Sequence, residues 1–280
     1  MSLSGDADLL VASRSALLDA LEALVDHREA LVLIGAQAIY LHTGAAAVAL
    51  AEATKDSDLA LDTRLLADAP LIDEAMQHAG FRRDLMAPQP GAWLSATGVP
   101  VDLMVPEALA GGPGRRGVDM PPHARYAARR AVGLEAAVVD HTPMTIKALD
   151  AADARSFTIQ VAGPAALLVT KLHKLGERRD RPDRLVDKDA HDVYRLLVAT
   201  DTPGLAARLV ALRADDLAGD ATSAAMRYLE ELFAAGAAGL GSVMAGRAEQ
   251  LVGDPTVVSA AVSALADDLL QAIASADRRS

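Results

Sequence analysis

A chain of 280 residues, 51% of them hydrophobic, is long enough to bury a sizeable core in one large domain or two, and too apolar to stay disordered. Its formal net charge of -11 argues against a general nucleic-acid coat, which needs an excess of Lys and Arg, but leaves room for a local basic groove. The absence of cysteine removes disulfides, thiolate zinc sites and cysteine nucleophiles together; any metal must be held by oxygen or imidazole, and a reducing cytoplasm is the expected setting.

The first residues, Met1 to Asp6, have no basic region and no apolar core, so no secretory signal is expected. Leu9, Leu10, Ala16, Leu17, Leu21 and Leu24 recur at helical spacing and predict a helix from about Asp6 to His27 that covers one face of a sheet. From Ala30 to Ala51 there is no Asp, Glu, Lys or Arg, which reaches membrane-spanning length. Gln37, His42, Thr43 and two glycines interrupt the run, branched aliphatics open it and alanines close it, as in a buried strand that turns into a buried helix. No membrane partner is therefore expected. Leu31 to Ile34 reads as the first strand and Ala36 to His42 as a helix. Asp56 to Leu61 is the second strand, and Arg64 to His78 is a helix stopped by Gly80. Ala92 to Ala96 and Val99 to Val105 form a hairpin turned at Thr97-Gly98.

Pro106 to Arg130 is rich in Gly, Pro and Arg and reads as a mobile loop. Leu134 to Val139, Met144 to Ile146 and Phe157 to Val161 read as strands that extend the sheet. After Gly163-Pro164 the pattern is helical, over Ala165 to Leu175, Lys188 to Ala199 and most of Leu205 to Ile273. The expected fold class is α/β (α+β): a mixed sheet flanked by helices over residues 1–162, then a mostly helical domain over residues 163–280.

Candidate chemistry concentrates in four places. Asp56 and Asp58, at i and i+2, share one strand face while Ser57, Leu59 and Leu61 point to the other. Two like charges this close repel unless a cation such as Mg2+ orders them. Asp102 is a third carboxylate, set in an apolar strand that can lie beside them, and three converging carboxylates fit a two-metal site clamping a triphosphate. Gly35 lies between strand and helix, where a missing side chain lets backbone N–H groups approach phosphate oxygens.

Lys171 and Lys174 share a helical face and suit phosphates as point charges. Lys188-Asp189-Ala190-His191-Asp192 opens the next helix, with Asp189 and Asp192 about one turn apart, and Arg178 to Arg184 forms a basic stretch between. Each feature has an ordinary counterpart. Asp-x-Asp pairs recur in solvated loops, Asp102 suits a hairpin cap, and acids at a helix start are favoured by its dipole. His173 and His191 read first as packed or surface histidines, and Trp93 first as a core residue and only second as a base-stacking platform.

In chain order, the strand followed by Gly35-Ala36-Gln37-Ala38, then Thr54-Lys55-Asp56-Ser57-Asp58-Leu59, the strand bearing Asp102, Lys171-Leu172-His173 and Lys188 to Asp192 together resemble the abortive-infection (AbiEii/AbiGii-like) nucleotidyltransferase toxins, within the polymerase-beta-like nucleotidyltransferase superfamily. The resemblance spans about Val32 to Leu197. It implies a nucleotidyltransferase-type sheet followed by a helical domain, and transfer of a nucleoside monophosphate from an NTP to an acceptor hydroxyl. It also implies Mg2+ or Mn2+ ligands at Asp56, Asp58 and Asp102, a phosphate-binding Lys171, a functional acid such as Asp189, and nucleotide contacts at Gly35, Ala36, Lys188 and Asp192. The implied acceptor is RNA, with tRNA the precedent, or a protein, and the implied partner is a cognate antitoxin in a cytoplasmic toxin-antitoxin or phage-defence system. Two positions depart from the pattern: Ala36 replaces a Gly or Ser, and Glu52 stands where an Arg is common. A non-catalytic nucleotide- or partner-binding protein of the same fold and a small-molecule (antibiotic) adenylyltransferase are the alternatives.

Overall fold

Leu31–Ile34 (β1) is buried at all four positions, as a run of aliphatics without alternation requires of a strand covered on both faces. The computed structural model describes residues 3–44, 56–84, 89–112, 116–251 and 253–278, and it sets β1 inside an eight-stranded mixed sheet. The other strands are β2 (Ser57–Leu61), β3 (Arg82–Arg83), β4 (Ala92–Leu94), β5 (Pro100–Pro106), β6 (Arg129–Ala131), β7 (His141–Lys147) and β8 (Ser156–Ala162). Their order is β3-β4-β5-β2-β1-β8-β7. Short β4 covers only the first half of β5, which leaves Met104 to Pro106 to pair with β6.

β1 runs antiparallel to β2 and parallel to β8. β2 runs parallel to β5, with Asp58 opposite Asp102 and Leu59 opposite Leu103. That register puts both apolar residues into the core and both acids on the other face.

The chain divides into two compact units, Met1–Ala38 with Ala53–Ala162, and Ile39–Glu52 with Gly163–Ser280. The first holds the sheet, α1 (Leu3–Ala23) and α3 (Ile72–His78); the division falls within α2 (Gly35–Thr43). Leu17 and Leu21 of α1 are buried, and α1 packs on β2 and β5. The second unit contains α4 (Pro164–Gly176), α5 (Asp187–Ala199), α6 (Thr202–Arg213), α7 (Gly219–Leu229), α8 (Leu240–Ala248) and α9 (Pro255–Asp277). α4 packs on α5 and α7, and α9 packs on α6 and α8. By length and composition α9 is the one helix among the described residues apolar enough to cross a membrane, and its stripe of Val258, Val262, Ala266, Leu269 and Ile273 is buried.

Four segments differ from the sequence-based expectation. The first helix, expected to run to about His27, ends at Ala23 and gives way to a 3-10 helix at Val25–Ala30, where His27 Nε2 bonds to Pro70 O at 2.8 Å. The helix expected from Arg64 starts only at Ile72, because Asp62 Oδ1 accepts the Arg64 backbone N–H at 3.0 Å and its Nε–H at 2.9 Å, closing a turn, and Pro70 has no N–H to give. Leu134 to Val139 is a 3-10 turn at Glu135–Val138 rather than a strand; the buried Glu135 carboxylate accepts the Ala108 N–H at 3.1 Å and pulls the segment inward. In the stretch from Pro106 to Arg130, the described residues are pinned rather than loose: Arg130 donates its N–H to Arg116 O at 3.0 Å and its guanidinium to Glu107 at 2.9 Å, and Arg129 begins β6. Residues 113–115 of it, like Thr54, Lys55 and Glu52 of the motif, lie outside the described residues.

Trp93 is 1% exposed, and its Nε1–H donates to Ala127 O at 3.0 Å, which makes it a core residue. Trp93→Phe keeps a ring but orphans that carbonyl, so urea denaturation is expected to show a loss of about 1–3 kcal/mol.

Candidate functional site

Ser57 lies between the two acids of the Asp-x-Asp pair and is 1% exposed. Gln37, on the first turn of α2, donates from Nε2 to Ser57 Oγ at 2.6 Å and to Ser13 Oγ of α1 at 2.9 Å, and accepts from Arg14 Nε at 2.7 Å. Ser57 Oγ donates to Ser13 O at 3.0 Å, and Ser13 Oγ donates to Asp56 O at 2.9 Å. This buried junction binds α1, α2 and the start of β2 together, so the backbone carrying Asp56 and Asp58 is held by polar groups whose donors and acceptors leave few other arrangements. Arg14 adds a bond to Lys147 O at 2.9 Å.

Asp58 points toward Gly35. Gly35 has φ +70, and a Cβ built on it would lie 2.2 Å from Asp58 Oδ2. The glycine therefore serves two needs: a left-handed turn from β1 into α2, and room for a carboxylate at the positive end of a helix dipole. Gly35 and Ala36 are both buried.

Asp102, the neighbour of Asp58 across the β2–β5 pair, is bound through Oδ2 to Arg129 Nη2 at 2.8 Å. Asp56 and Asp102 open onto a cavity of about 260 Å³ whose wall also includes Asp84, Gln89, Trp93 and Leu94. Asp84 is a third carboxylate at this cavity; it follows edge strand β3 and is fixed by its N–H bond to Ala92 O at 3.1 Å.

Among the described residues no three carboxylate or imidazole groups stand close enough together to hold a metal as they are. The donors nevertheless suit a hard divalent ion. They are all oxygen, a Cβ at Gly35 would fill the cradle beside Asp58, and a guanidinium already stands as a cation on Asp102.

The remaining candidates belong to the helical unit. Lys171 of α4 is buried, with Nζ 2.7 Å from Asp189 Oδ1 and 2.7 Å from Asp192 Oδ2, both on α5. Lys174 Nζ meets Asp189 Oδ1 at 2.9 Å and is 42% exposed. Burial by itself pulls the Lys171 ammonium down, and the charges of Asp189 and Asp192 override it, leaving it above the ordinary lysine value. Burial likewise pushes Asp189 up, and Lys171 and Lys174 outweigh that, holding it below the usual carboxylate range. Asp192 Oδ1 is buried without a hydrogen-bond partner. Burial and the Asp192 charge push the Tyr40 hydroxyl up to about 12. Lys188 is half-buried on the first turn of α5. His173 donates from Nε2 to Ala221 O at 2.7 Å and His191 Nε2 meets Glu249 Oε1 at 2.8 Å, so both histidines are packed.

The structure thus groups Gly35, Ala36, Asp56, Asp58 and Asp102 on the sheet unit, and Lys171, Lys188, Asp189 and Asp192 on the helical unit. Sequence reasoning missed Gln37 and Ser57 as the junction that orders the acids, and it missed Asp84 and Arg129. An uncharged polar residue inside a charge-free run and a serine on the apolar side of a strand were signals for the first two. The last two had none, since only strand pairing brings them to Asp102.

A family model described as "Nucleotidyltransferase" matches residues 13–210. No curated protein and no solved structure matches the chain.

Gly35→Ala is expected to cost about 1–3 kcal/mol through positive φ and collision with Asp58. In an Asp58→Ala background the collision with the carboxylate is gone and only the Cβ contact at 3.0 Å remains, so a double-mutant cycle by denaturation should return a smaller cost there. Lys171→Met removes the cation shared by two buried carboxylates, leaving Asp189 only the exposed Lys174, and is expected to cost about 3–5 kcal/mol, against about 1 kcal/mol or less for Lys174→Ala. Because the folded-state pKa of Asp189 is depressed, its contribution is present above the ordinary carboxylate pKa of about 4 and is lost as pH falls below it. Lys171, raised, contributes below about pH 10.4 and loses its contribution above that. Urea midpoints measured against pH should therefore drop on the acid side, and Lys171→Met should flatten that drop.

Proposed function

The chain belongs to the nucleotidyltransferase family, and on that premise we propose that it is a Mg2+- or Mn2+-dependent enzyme that moves a nucleoside monophosphate from an NTP onto an acceptor hydroxyl. The observation that carries this reading is the register pairing of Asp58 with Asp102 on parallel strands, beside a glycine that opens α2. Asp56, Asp58 and Asp102 are the residues that would hold the cation. When bound, it supplies charge neutralisation for the triphosphate and stabilises the leaving pyrophosphate.

The protein's own part is arrangement. The Gln37, Ser57 and Ser13 junction fixes the start of β2, so Asp56 and Asp58 keep one orientation while the negative charge around them changes. The acceptor hydroxyl attacks the α-phosphorus, the bond to the β-phosphate oxygen breaks, and the hydroxyl proton passes to a carboxylate, for which Asp102 is the proposed recipient if two of the acids suffice for the cation. The cavity beside Asp56 and Asp102, walled on one side by Trp93 and Leu94, supplies a partly apolar surface for a nucleoside or acceptor group. Lys171, Lys188, Asp189 and Asp192 are proposed to serve the nucleotide as well. For Lys171 the two carboxylates already at its ammonium support a positioning role, in which the charge cluster fixes the start of α5.

The resemblance to abortive-infection toxins carries the finer proposals: RNA such as tRNA, or a protein, as acceptor, and a cytoplasmic toxin restrained by a cognate antitoxin. Exposed Arg179, Arg181 and Arg184 support RNA, since phosphate contacts favour clustered guanidinium groups. A catalytically silent nucleotide-binding member is the second reading, favoured by the engagement of Asp102 with Arg129.

Incubation with each labelled NTP, Mg2+ and total cellular RNA separates these readings: label in RNA or in protein supports transfer, and nucleotide binding without label supports the silent binder. NTP should raise the melting temperature only with a divalent cation present and not in excess chelator. Asp58→Asn removes a charge that repels Asp102 and one that the α2 dipole favours, so metal-free stability should stay within about 1 kcal/mol of the parent. Turnover should fall on the order of a hundredfold or more. Near-parental transfer by that variant would sink the assignment.

A further inference from the structure

Arg129 has a fixed backbone and a projecting charge. Its strand β6 pairs with β5 at Met104, and Gly117 bridges it on the other side. A Cβ on Gly91 would lie 2.7 Å from its backbone nitrogen, so a third segment is closed against it. What remains adjustable is the side chain, which ends 2.8 Å from Asp102 Oδ2 with about a quarter of each partner's side chain in contact with solvent. A charge-assisted bond at such a half-wet position is firm enough to order a carboxylate and weak enough to be exchanged.

We propose that Arg129 is a positioning residue that acts as a built-in counter-cation: it holds Asp102 while the site is empty of metal and must release it before a divalent cation gains its third carboxylate. This deepens the metal reading of Asp56, Asp58 and Asp102 given above and rests on it. Two observations meet in it. The three carboxylates do not stand as a ready cluster among the described residues, and Asp102, the register neighbour of Asp58, carries the Arg129 guanidinium on Oδ2. Without a counter-charge, Asp58 and Asp102 on adjacent strands would repel and loosen the β2–β5 pair. With Arg129 in place the pair is stable, at the cost of competition for Asp102. A cation alone therefore binds weakly, and a cation that arrives with a triphosphate brings enough added coordination to displace the guanidinium. The cavity at Asp56 and Asp102 gives such a complex room to enter.

The experiment measures Mn2+ binding to the purified full chain without nucleotide, by isothermal titration and by the loss of free-Mn2+ paramagnetic signal. Arg129→Gln should bind Mn2+ about tenfold more tightly than the parent, equivalent to about 1.4 kcal/mol. Arg129→Lys, which keeps the charge, should stay near the parent, and Asp102→Asn combined with Arg129→Gln should lose the gain. Circular dichroism checks folding; if the Gln variant is not folded, Arg129→Met, which keeps the aliphatic stem, takes its place. Unchanged or weaker Mn2+ binding in the folded neutral variant, with Asp102→Asn still reducing Mn2+ affinity, would overturn the role of Arg129 and leave the metal reading standing. If neither the parent nor the neutral variant binds Mn2+ with or without NTP, the metal reading itself fails, and this inference with it.

Discussion

Asp58 and Asp102 are register partners on adjacent parallel strands, about 4.8 Å apart along the hydrogen-bonding direction, and the repulsion between them is the constraint around which the sheet unit is arranged. Two devices offset it. Asp58 lies against the opening glycine of α2, where a helix dipole favours a negative charge, and Asp102 is neutralised by Arg129. Each acid thus has a separate source of positive potential. Neither is a cost-free arrangement: the first requires a glycine at positive φ, and the second occupies an oxygen that a cation would otherwise use.

The helical unit solves a related problem in the opposite way. There the carboxylates Asp189 and Asp192 are almost fully buried and share one lysine, with a second, exposed lysine on Asp189. In a low-dielectric interior this pairing is tight, and the depressed Asp189 and raised Lys171 are its signature. On the sheet unit Asp56 is exposed and Asp58 and Asp102 are half-exposed. A buried ion cluster orders helices, whereas acids left partly in water stay available to an incoming charge. Tyr40, kept protonated by burial and by Asp192, and Arg195, bonded to Thr43 Oγ1 at 3.2 Å, complete the polar interior of the helical unit.

Junction residues explain why the acids are oriented as they are. Gln37 touches Ser13 and Ser57, and through Ser13 it reaches the carbonyl of Asp56. A glutamine inside a charge-free run looks like an interruption on paper. In the fold it is a buried hub whose amide supplies both donors and one acceptor, so the position of the first acid depends on a side chain in another element.

Local pattern was enough for β1, β2, the β4–β5 hairpin, β7, β8 and the helical remainder, because each carries its period and its turn residues within itself. The same is true of the i, i+2 placement of Asp56 and Asp58 and of the charge-bearing helix starts. The sequence by itself also carries the order of motifs that resembles the nucleotidyltransferases. It could not show that Arg64 to Leu71 would be diverted by the Asp62 side chain, or that Glu135 would draw its neighbours into a 3-10 turn, since both depend on side chain to backbone bonds that compete with the local pattern. Nor could it bring Asp58 to Asp102, Arg129 to Asp102, or Asp84 to the cavity. Those meetings join residues tens of positions apart, and only strand order and register, set by burial of Leu59 and Leu103 on the opposite face, decide them.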